Sequence, residues 1–540
     1  MKYPTVICII LCSFCLGIKT VVAGEDPAKN PEITVGIIQR LGANPLDEKE
    51  PQIDRVTISA KKPGDSLTVQ FLGTSPSPQP LKTERVVIEI EQEPLAQKQL
   101  SEILVLSDRS TFETAEASAE SWRKLGIEVE IVQPGRWQVW AKRDVYSSPL
   151  VLRWLLNSLQ ANGYQDPYLA SAVLTSKPQA VVEINGQEYR QEQVAIATGQ
   201  HPLQVTTKSG KQQETFTYGG SLRLQPNAYG DYTLVNRVPL ETYLRGVVPY
   251  EIGADAPTQA IAAQAIIART YALRNLRRFA ADNYQLCATV HCQVYKGLNE
   301  ANTVSDHAIA ATEGLVLTYE NELIDALYYS TSGGVTSRFS DVWNGEERSY
   351  LQPIIDATAP LWDLARYPLG NEANLRKFLT LQEGFNETGR SAFRWQKIST
   401  ITDITSHLRQ YLQRTNDPLA DFTTIESLKV QQRSPSGRIL TLIVKTDNGL
   451  VKLHKNEVRS ALAPPRSTLF YLEPIYNQQQ QLIAYAFIGG GFGHGVGLSQ
   501  YGAHHLAKLG WNAQQILDFY YPGTKLQPLN SSIVFFEEKV

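Results

Sequence analysis

Apolar and polar residues alternate through residues 33–38, 56–59, 67–71 and 86–90, the period of half-buried strands. The proline-rich run 74–80 between two of them predicts a stiff connector. From residue 103 the period changes. Residues 103–106 read as a strand, 112–125 as a helix ended by Gly126, 129–132 and 137–140 as two more strands, and 148–161 as a second helix before Asn162 and Gly163. Strands return at 181–184, where Asn185-Gly186 signals a hairpin, and again at 203–207, 222–224 and 232–235. Residues 259–279 are mostly strong helix formers, so a long alanine-rich helix is expected there. The stretch 361–460 is less patterned, with helices expected at 373–379 and 404–412, a strand at 439–444, a short helix opening at 455–459, and no chemical motif. Strand runs and helices in this arrangement predict an α+β protein.

One carboxylate stands at a junction of these elements. Val247-Val248-Pro249-Tyr250-Glu251 leads into the alanine-rich helix. Pro249 fixes its own φ and disfavours helical geometry at Val248, so stiff extended backbone is expected before Glu251. Helix should resume with Asp255 as N-cap and Pro257 in the first turn. Gln264 and Arg269 interrupt the small, apolar run that follows. A carboxylate on a short rigid linker beside a helix suits acid/base chemistry, and the same residues also suit a plain strand-to-helix turn.

Composition narrows the function classes. A chain of 540 residues with 42% hydrophobic content has room for about three domains with substantial cores. A formal charge of −3 argues against a nucleic-acid binder. Lys2, the apolar run 6–17 and Val21-Val22-Ala23 read as a secretory signal cleaved after Ala23, with an uncleaved membrane anchor as the alternative. Cys8, Cys12 and Cys15 lie inside this leader, which leaves Cys287 and Cys292 for the exported protein. Two lone cysteines in an exported chain commonly pair, and a six-residue loop can close within disulfide range.

Residues 103–163, in β-α-β-β-α order with a glycine after each helix, resemble the SPOR module, which binds peptidoglycan glycan stripped of its peptides. A ferredoxin-like unit with no binding role fits the same pattern. A sharper resemblance begins at Val238-Pro239-Leu240-Glu241-Thr242-Tyr243-Leu244. It continues through Gly246-Val247-Val248-Pro249 with Glu251, and through Ala263-Gln264-Ala265 and Ala268-Arg269-Thr270-Tyr271-Ala272. Asp306-His307-Ala308 with Thr312-Glu313-Gly314 follows, then Tyr329-Ser330-Thr331-Ser332-Gly333-Gly334. Gly491-Phe492-Gly493-His494-Gly495-Val496-Gly497-Leu498-Ser499-Gln500-Tyr501-Gly502-Ala503 closes the series, running on to Tyr520-Tyr521-Pro522-Gly523-Thr524. These blocks, in this order, resemble the SpoIID/LytB family of peptidoglycan-acting proteins. The resemblances divide the chain into a leader (1–23), a linker and β-rich segment (24–99), a SPOR-like α/β unit (100–176) and a SpoIID-type domain (177–535) of antiparallel sheets around a central alanine-rich helix, with an accessory region at 360–460.

The resemblance implies lytic transglycosylase activity on peptidoglycan glycan strands, with Glu251 as the acid/base. A glycosidic oxygen leaves only when protonated, so one carboxylic acid with a raised pKa must reach it. Ordinary glycosidases need a second carboxylate. A lytic transglycosylase uses the sugar's own C6 hydroxyl instead and leaves a 1,6-anhydro-muramyl end. Glu241, Asp231 and Asp341 are the candidates for a second carboxylate should the enzyme be a hydrolase. Ser330, Thr331 and Ser332 are expected to position a sugar or the acid, and His494, Ser499, Gln500 and Tyr501 to hydrogen-bond hydroxyl and acetamido groups. The glycines around them permit close backbone approach, and with no lysine after them a phosphate loop is excluded. Gln264 and Arg269 are expected to line the site or orient Glu251, with Arg269 on substrate or structure, since beside the acid it would lower the pKa. For Cys287, Cys292 and His291 the resemblance adds zinc as an alternative to the disulfide; no further histidine occurs in 278–283, which favours the disulfide. No other cofactor is implied. The LytB side of the family implies an alternative, non-catalytic role as a glycan binder or enhancer of a cell-wall amidase.

Overall fold

The computed structural model describes residues 30–42, 52–53, 55–73, 79–199, 201–415 and 417–536. The expected leader over 1–23 lies outside these residues, as does most of the 74–80 connector. Alternation in sequence becomes sidedness in the sheets. In the strand Leu67–Phe71, Leu67, Val69 and Phe71 are buried while Thr68 and Gln70 face solvent. This strand belongs to a seven-stranded sheet in the order Leu286–Cys287, Glu32–Leu41, Tyr232–Pro239, Ser221–Pro226, Val194–Ala197, Leu67–Phe71, Leu81–Thr83. Its pairings are antiparallel except that of Glu32–Leu41 with Leu286–Cys287, which are parallel. The Asn185-Gly186 hairpin forms as expected, with both residues at positive φ (53° and 78°).

A second sheet is built on Arg85–Arg109, a strand 25 residues long. Its first part pairs with Arg55–Ala60 and its last part with Trp137–Ala141, while Tyr168–Ile184 runs antiparallel along both. At the far end the strand order is Tyr168–Ile184, Arg85–Arg109, Trp137–Ala141, Val129–Val132, with helices Phe112–Lys124 and Pro149–Ala161 as the crossovers. That is a ferredoxin-like βαββαβ arrangement. The sequence boundaries at 100 and 176 fall inside its two longest strands, so the unit and the β-rich segment before it share one ribbon. Its first helix docks on the rest of the chain through ion pairs Glu113–Arg278 and Glu116–Arg277.

The helix Thr258–Arg274 is the centre of the remaining domain. Every residue from 260 to 274 is buried, as expected for a helix that is small and apolar on all sides. Around it pack the helices Leu240–Arg245, Val248–Ile252, Thr303–Ala311, Gln500–Lys508 and Ala513–Tyr520 and the strand Leu315–Tyr319. Its N-cap is Pro257 rather than Asp255, and it ends at Arg274, one turn past the expected end near Tyr271 and short of the full run of helix formers to 279. The chain leaves the helix there because Arg277 and Arg278 turn outward to the glutamates of the ferredoxin-like unit. The accessory region has its own core, with the helix Ile401–Arg414 packed among the sheet Ile425–Arg433, Ile439–Thr446, Gly449–His454 and the sheet Trp395–Thr400, Leu482–Gly489, Phe470–Tyr476. Among the described residues no helix is long and apolar enough to cross a membrane.

Candidate active site

Glu251 does not sit on an extended linker. Residues Val248–Ile252 form a short helix with Pro249 in its first turn, so Val248 is helical and the expectation of extended backbone there is corrected. A proline's missing N–H costs nothing at the start of a helix, where that group has no intrahelical acceptor. Gly253, at φ 89°, then ends the helix and turns the chain toward the central helix.

Three donors converge on Glu251, which is half-buried. The backbone N–H of Val294 donates to Oε1 at 2.7 Å. The Tyr328 hydroxyl and the Gln500 amide also act on its carboxylate. Burial is the largest influence and raises the pKa of Glu251 above the ordinary glutamate value, with Val294, Tyr328 and Gln500 pulling the other way. No arginine, lysine or second carboxylate contributes to the shift. Tyr328 is itself held in a chain of side chains: Tyr243 donates from its hydroxyl to Gln293 Oε1 at 3.1 Å, and Gln293 Nε2 donates to the Tyr328 hydroxyl at 3.2 Å. The acid's helix is pinned from the other side. Gln500 Nε2 donates to the Glu251 carbonyl at 2.9 Å, and His504 Nε2 to the Ile252 carbonyl at 3.0 Å.

The serine-rich and glycine-rich stretches meet as two neighbouring strands. Tyr328–Tyr329 pairs in parallel with Leu498–Ser499, and Thr331 pairs with Phe492 in both directions, at 3.1 and 2.8 Å. Ser330 and Thr331 share a hydroxyl contact of 3.1 Å, and the Ser330 carbonyl accepts from the Tyr501 N–H at 3.2 Å. Ser499 caps the helix Gln500–Lys508. Ser332 is fully buried and faces the interior, where its Oγ donates to Asp356 Oδ2 at 3.0 Å. His494 is also an interior group. Its Nε2 donates to the Tyr328 carbonyl at 2.9 Å, its Nδ1 accepts from Val496, and burial pushes its pKa down to about 3, so it stays neutral. Gly495, at φ 85°, lies against the Arg438 guanidinium where any Cβ would collide.

Arg269 is on structure. Fully buried, it forms a two-point ion pair with Glu241 at 2.6 and 2.7 Å and donates to the Leu315 carbonyl. Gln264 is also fully buried, and neither end of its amide makes a hydrogen bond within the described residues. The other second-carboxylate candidates are engaged elsewhere, Asp231 with Arg40 and Asp341 with Ser436. Cys287 and Cys292 are joined by a disulfide. With the sulfurs bonded to each other they offer no thiolate to a metal, and among the described residues no group of three or more metal-binding side chains gathers. Zinc therefore does not fit the residues as they stand. The disulfide closes the turn that leads directly to Gln293 and Val294, the groups that hold Tyr328 and Glu251.

Sequence reasoning missed two further features. Tyr328 stands one residue ahead of a matching block, and only its place beside Glu251 marks it. The second is a buried carboxyl pair, Asp356 and Glu387, beneath the serine-rich stretch. Glu387 accepts from the N–H groups of Ser332 and Gly333 and, at 2.5 Å, from the Ser499 hydroxyl. Asp356 accepts from Ser332, from Asn386 Nδ2 at 2.8 Å and from the Tyr520 hydroxyl at 2.8 Å. Burial, and for Glu387 also the charge of Asp356, pushes both carboxyls upward, so the pair keeps a proton. Glu387 lies in a stretch with no motif, and nothing local in the sequence signals it.

Residues 228–319 match the SpoIID family, described as stage II sporulation protein, and residues 337–497 match a domain of unknown function, DUF8618. The amidase enhancer of Bacillus subtilis strain 168 is 27% identical over 371 residues, covering 61% of this chain and 50% of the relative. The chain thus spans about half the length of that relative. The stage II sporulation protein D of Bacillus amyloliquefaciens is 27% identical over 312 residues, covering 55% of this chain and 76% of the relative. That of Bacillus subtilis strain 168 is 25% identical over 308 residues, covering 54% and 75%. The matched 92 residues (228 to 319) hold Glu251, its short helix and the buried central helix, and this part of the chain is a domain of the SpoIID family.

Proposed function

We propose that this chain is an exported peptidoglycan lytic transglycosylase, cleaving the bond between N-acetylmuramic acid and N-acetylglucosamine with Glu251 as the single acid/base. The observation that carries this reading is the balance at Glu251. Burial favours the protonated acid, which the glycosidic oxygen needs in order to leave. Once the proton is given up, Val294 N–H, the Tyr328 hydroxyl and the Gln500 amide favour the resulting carboxylate, which then takes the proton of the C6 hydroxyl as that oxygen attacks the anomeric carbon. Both protonation states are supported by neutral groups, so the residue can serve in turn as acid and base. Glu241, Asp231 and Asp341 have partners of their own, which favours a reaction needing one carboxylate over a two-carboxylate hydrolysis. Mass spectrometry of digested, peptide-stripped glycan tests the reading: 1,6-anhydro ends are expected, and reducing ends alone would reject transglycosylation.

The name of the amidase-enhancer relative favours a second reading, in which the chain binds glycan and stimulates a cell-wall amidase without cutting. Under that reading the wild type releases no glycan fragments, while the rate of an added amidase rises.

A further inference from the structure

Two arginines flank the site, each laid against an aromatic ring. Arg390 lies 4.4 Å from the ring centre of Tyr501, and Arg466 lies 5.9 Å from that of Phe492. The two rings stand at the two ends of one short segment. Tyr501 N–H donates to the carbonyl of Ser330, and Phe492 pairs through its backbone with Thr331. Arg390, Tyr501, Ser330, Thr331, Phe492 and Arg466 thus form a continuous series, and Gln500, next to Tyr501, holds the backbone of Glu251.

Both cations are held by their backbones. Arg390 N–H donates to the Glu387 carbonyl at 3.1 Å, in a turn whose Glu387 side chain is locked beneath Ser332 and Ser499. The Arg466 carbonyl accepts from Gly493 N–H at 3.1 Å, and Ser467 beside it donates to the Gly490 carbonyl at 2.6 Å. Among the described residues neither guanidinium has a carboxylate within ion-pair distance, although seventeen other arginines form such pairs. Phe492 is itself 47% exposed on a loop built from glycines. A planar cation pre-oriented on an aromatic face, with its donors free, suits two-point recognition of a carboxylate. The two cations also stop short of Glu251, whose environment shows no contribution from either.

We propose that Arg390 and Arg466 bind carboxylates carried by the glycan strand, the lactyl carboxylate left on a muramyl residue when its peptide has been removed, and so select peptide-stripped strands. This rests on the glycan reading of the Glu251 site and names the group on the glycan that the site reads. Both arginines come from the region 337–497, so selection is supplied by the segment outside the SpoIID match.

The test uses the full chain carrying Glu251→Gln, which separates binding from cleavage. Binding is measured to insoluble peptide-stripped glycan, to the same glycan with its carboxyls converted to neutral amides, and to chitin. Adding Arg390→Ala and Arg466→Ala together should weaken binding to the carboxylated glycan tenfold or more and leave binding to the other two unchanged. Arg390→Lys with Arg466→Lys keeps the charge and should restore part of the loss, and it also guards against a folding defect. Equal losses on all three polymers, or no loss on any, would overturn the proposal. Neither result depends on whether the wild type makes anhydro ends, so failure of the enzyme reading is separately visible.

Discussion

Replacing Glu251 with glutamine changes one atom and should separate two effects of that carboxyl. The amide keeps the side chain's volume and a carbonyl oxygen for the Val294 N–H, 2.7 Å away, but it can neither give nor take the reacting proton. Positioned acid/base catalysis contributes about 10²–10⁴-fold, or about 3–5 kcal/mol of barrier. Because the same residue serves both proton transfers, the loss in glycan cleavage should lie at the upper end of that range. Stability should move the other way. The folded-state pKa of Glu251 is raised by burial, so its favourable contribution is complete below the unfolded value and is lost as pH rises through the folded value. As pH rises through the folded value the wild type comes to hold a carboxylate that burial disfavours, and the amide does not. Glu251→Gln should melt with the wild type in acid and at the same or a higher temperature as pH rises through the folded value. Cleavage is read by chromatography of released muropeptide-free fragments, and melting by calorimetry across pH. Activity within tenfold of the wild type, or a clearly lower melting temperature at neutral pH, would refute the assignment of Glu251 as the reacting acid.

Tyr328→Phe removes a donor that favours ionised Glu251, so the alkaline limb of the pH–rate profile should move to higher pH while the maximal rate falls; an unmoved limb would remove Tyr328 from the site. Cys287→Ser with Cys292→Ser opens a short loop, with a sequence separation of 5, and should cost about 2 kcal/mol by loop-closure entropy, read as a fall in denaturation midpoint. The same pair should lower activity more than stability explains, because the loop leads directly into Val294; full activity in the folded double variant would contradict this. For Glu387, raised by burial and by Asp356, stability is present below the unfolded value and is lost as pH rises through the folded one. Wild-type melting temperature should therefore fall from mildly acidic pH up to about pH 8, and Glu387→Gln should flatten that fall; parallel pH curves for the two proteins would show the pair is not titrating.

Much of the architecture was legible because it follows from period and turn chemistry. The Asn185-Gly186 hairpin, the two helices of the ferredoxin-like unit and the alanine-rich helix appear where apolar spacing and glycine placed them. The failures share a cause. Val248 was expected to be extended because of Pro249, but Val248–Ile252 is buried against the central helix and that packing overrides the local preference. Asp255 suits a cap in isolation and loses the role to Pro257, and the helix end moved because Arg277 and Arg278 are drawn to glutamates about 160 residues away. The candidate site splits along the same line. Glu251, Ser330, Gln500 and Tyr501 gather as the blocks implied, whereas Arg269, Ser332 and His494 turn inward to Glu241, Asp356 and the Tyr328 carbonyl. Sequence blocks identify residues that a fold needs in fixed places, and they do not separate those that face a ligand from those that hold the residues that do.

The Asp356–Glu387 pair shows why the region 337–497 cannot be an independent attachment to the SpoIID match. Two carboxyls fully removed from water cannot both be ionised at hydrogen-bonding range, so the pair holds only while one proton is retained and every remaining oxygen lone pair is used. Asn386 and Tyr520 serve Asp356, and the other partners are Ser332, Gly333 and Ser499, on the serine-rich and glycine-rich stretches. Hydrogen bonds to a charged, buried acceptor are worth about 1.5–3 kcal/mol each, so freeing Glu387 would loosen several such bonds together. Ser499 would lose its anchor first, and the next residue, Gln500, is the one that holds the Glu251 backbone. The acid is thus fixed by a path that begins at Glu387 in one matched segment, passes through Ser499 and Gln500 outside both, and ends on the Glu251 backbone in the other. Residues that never meet a sugar are therefore part of what makes one carboxylate sufficient.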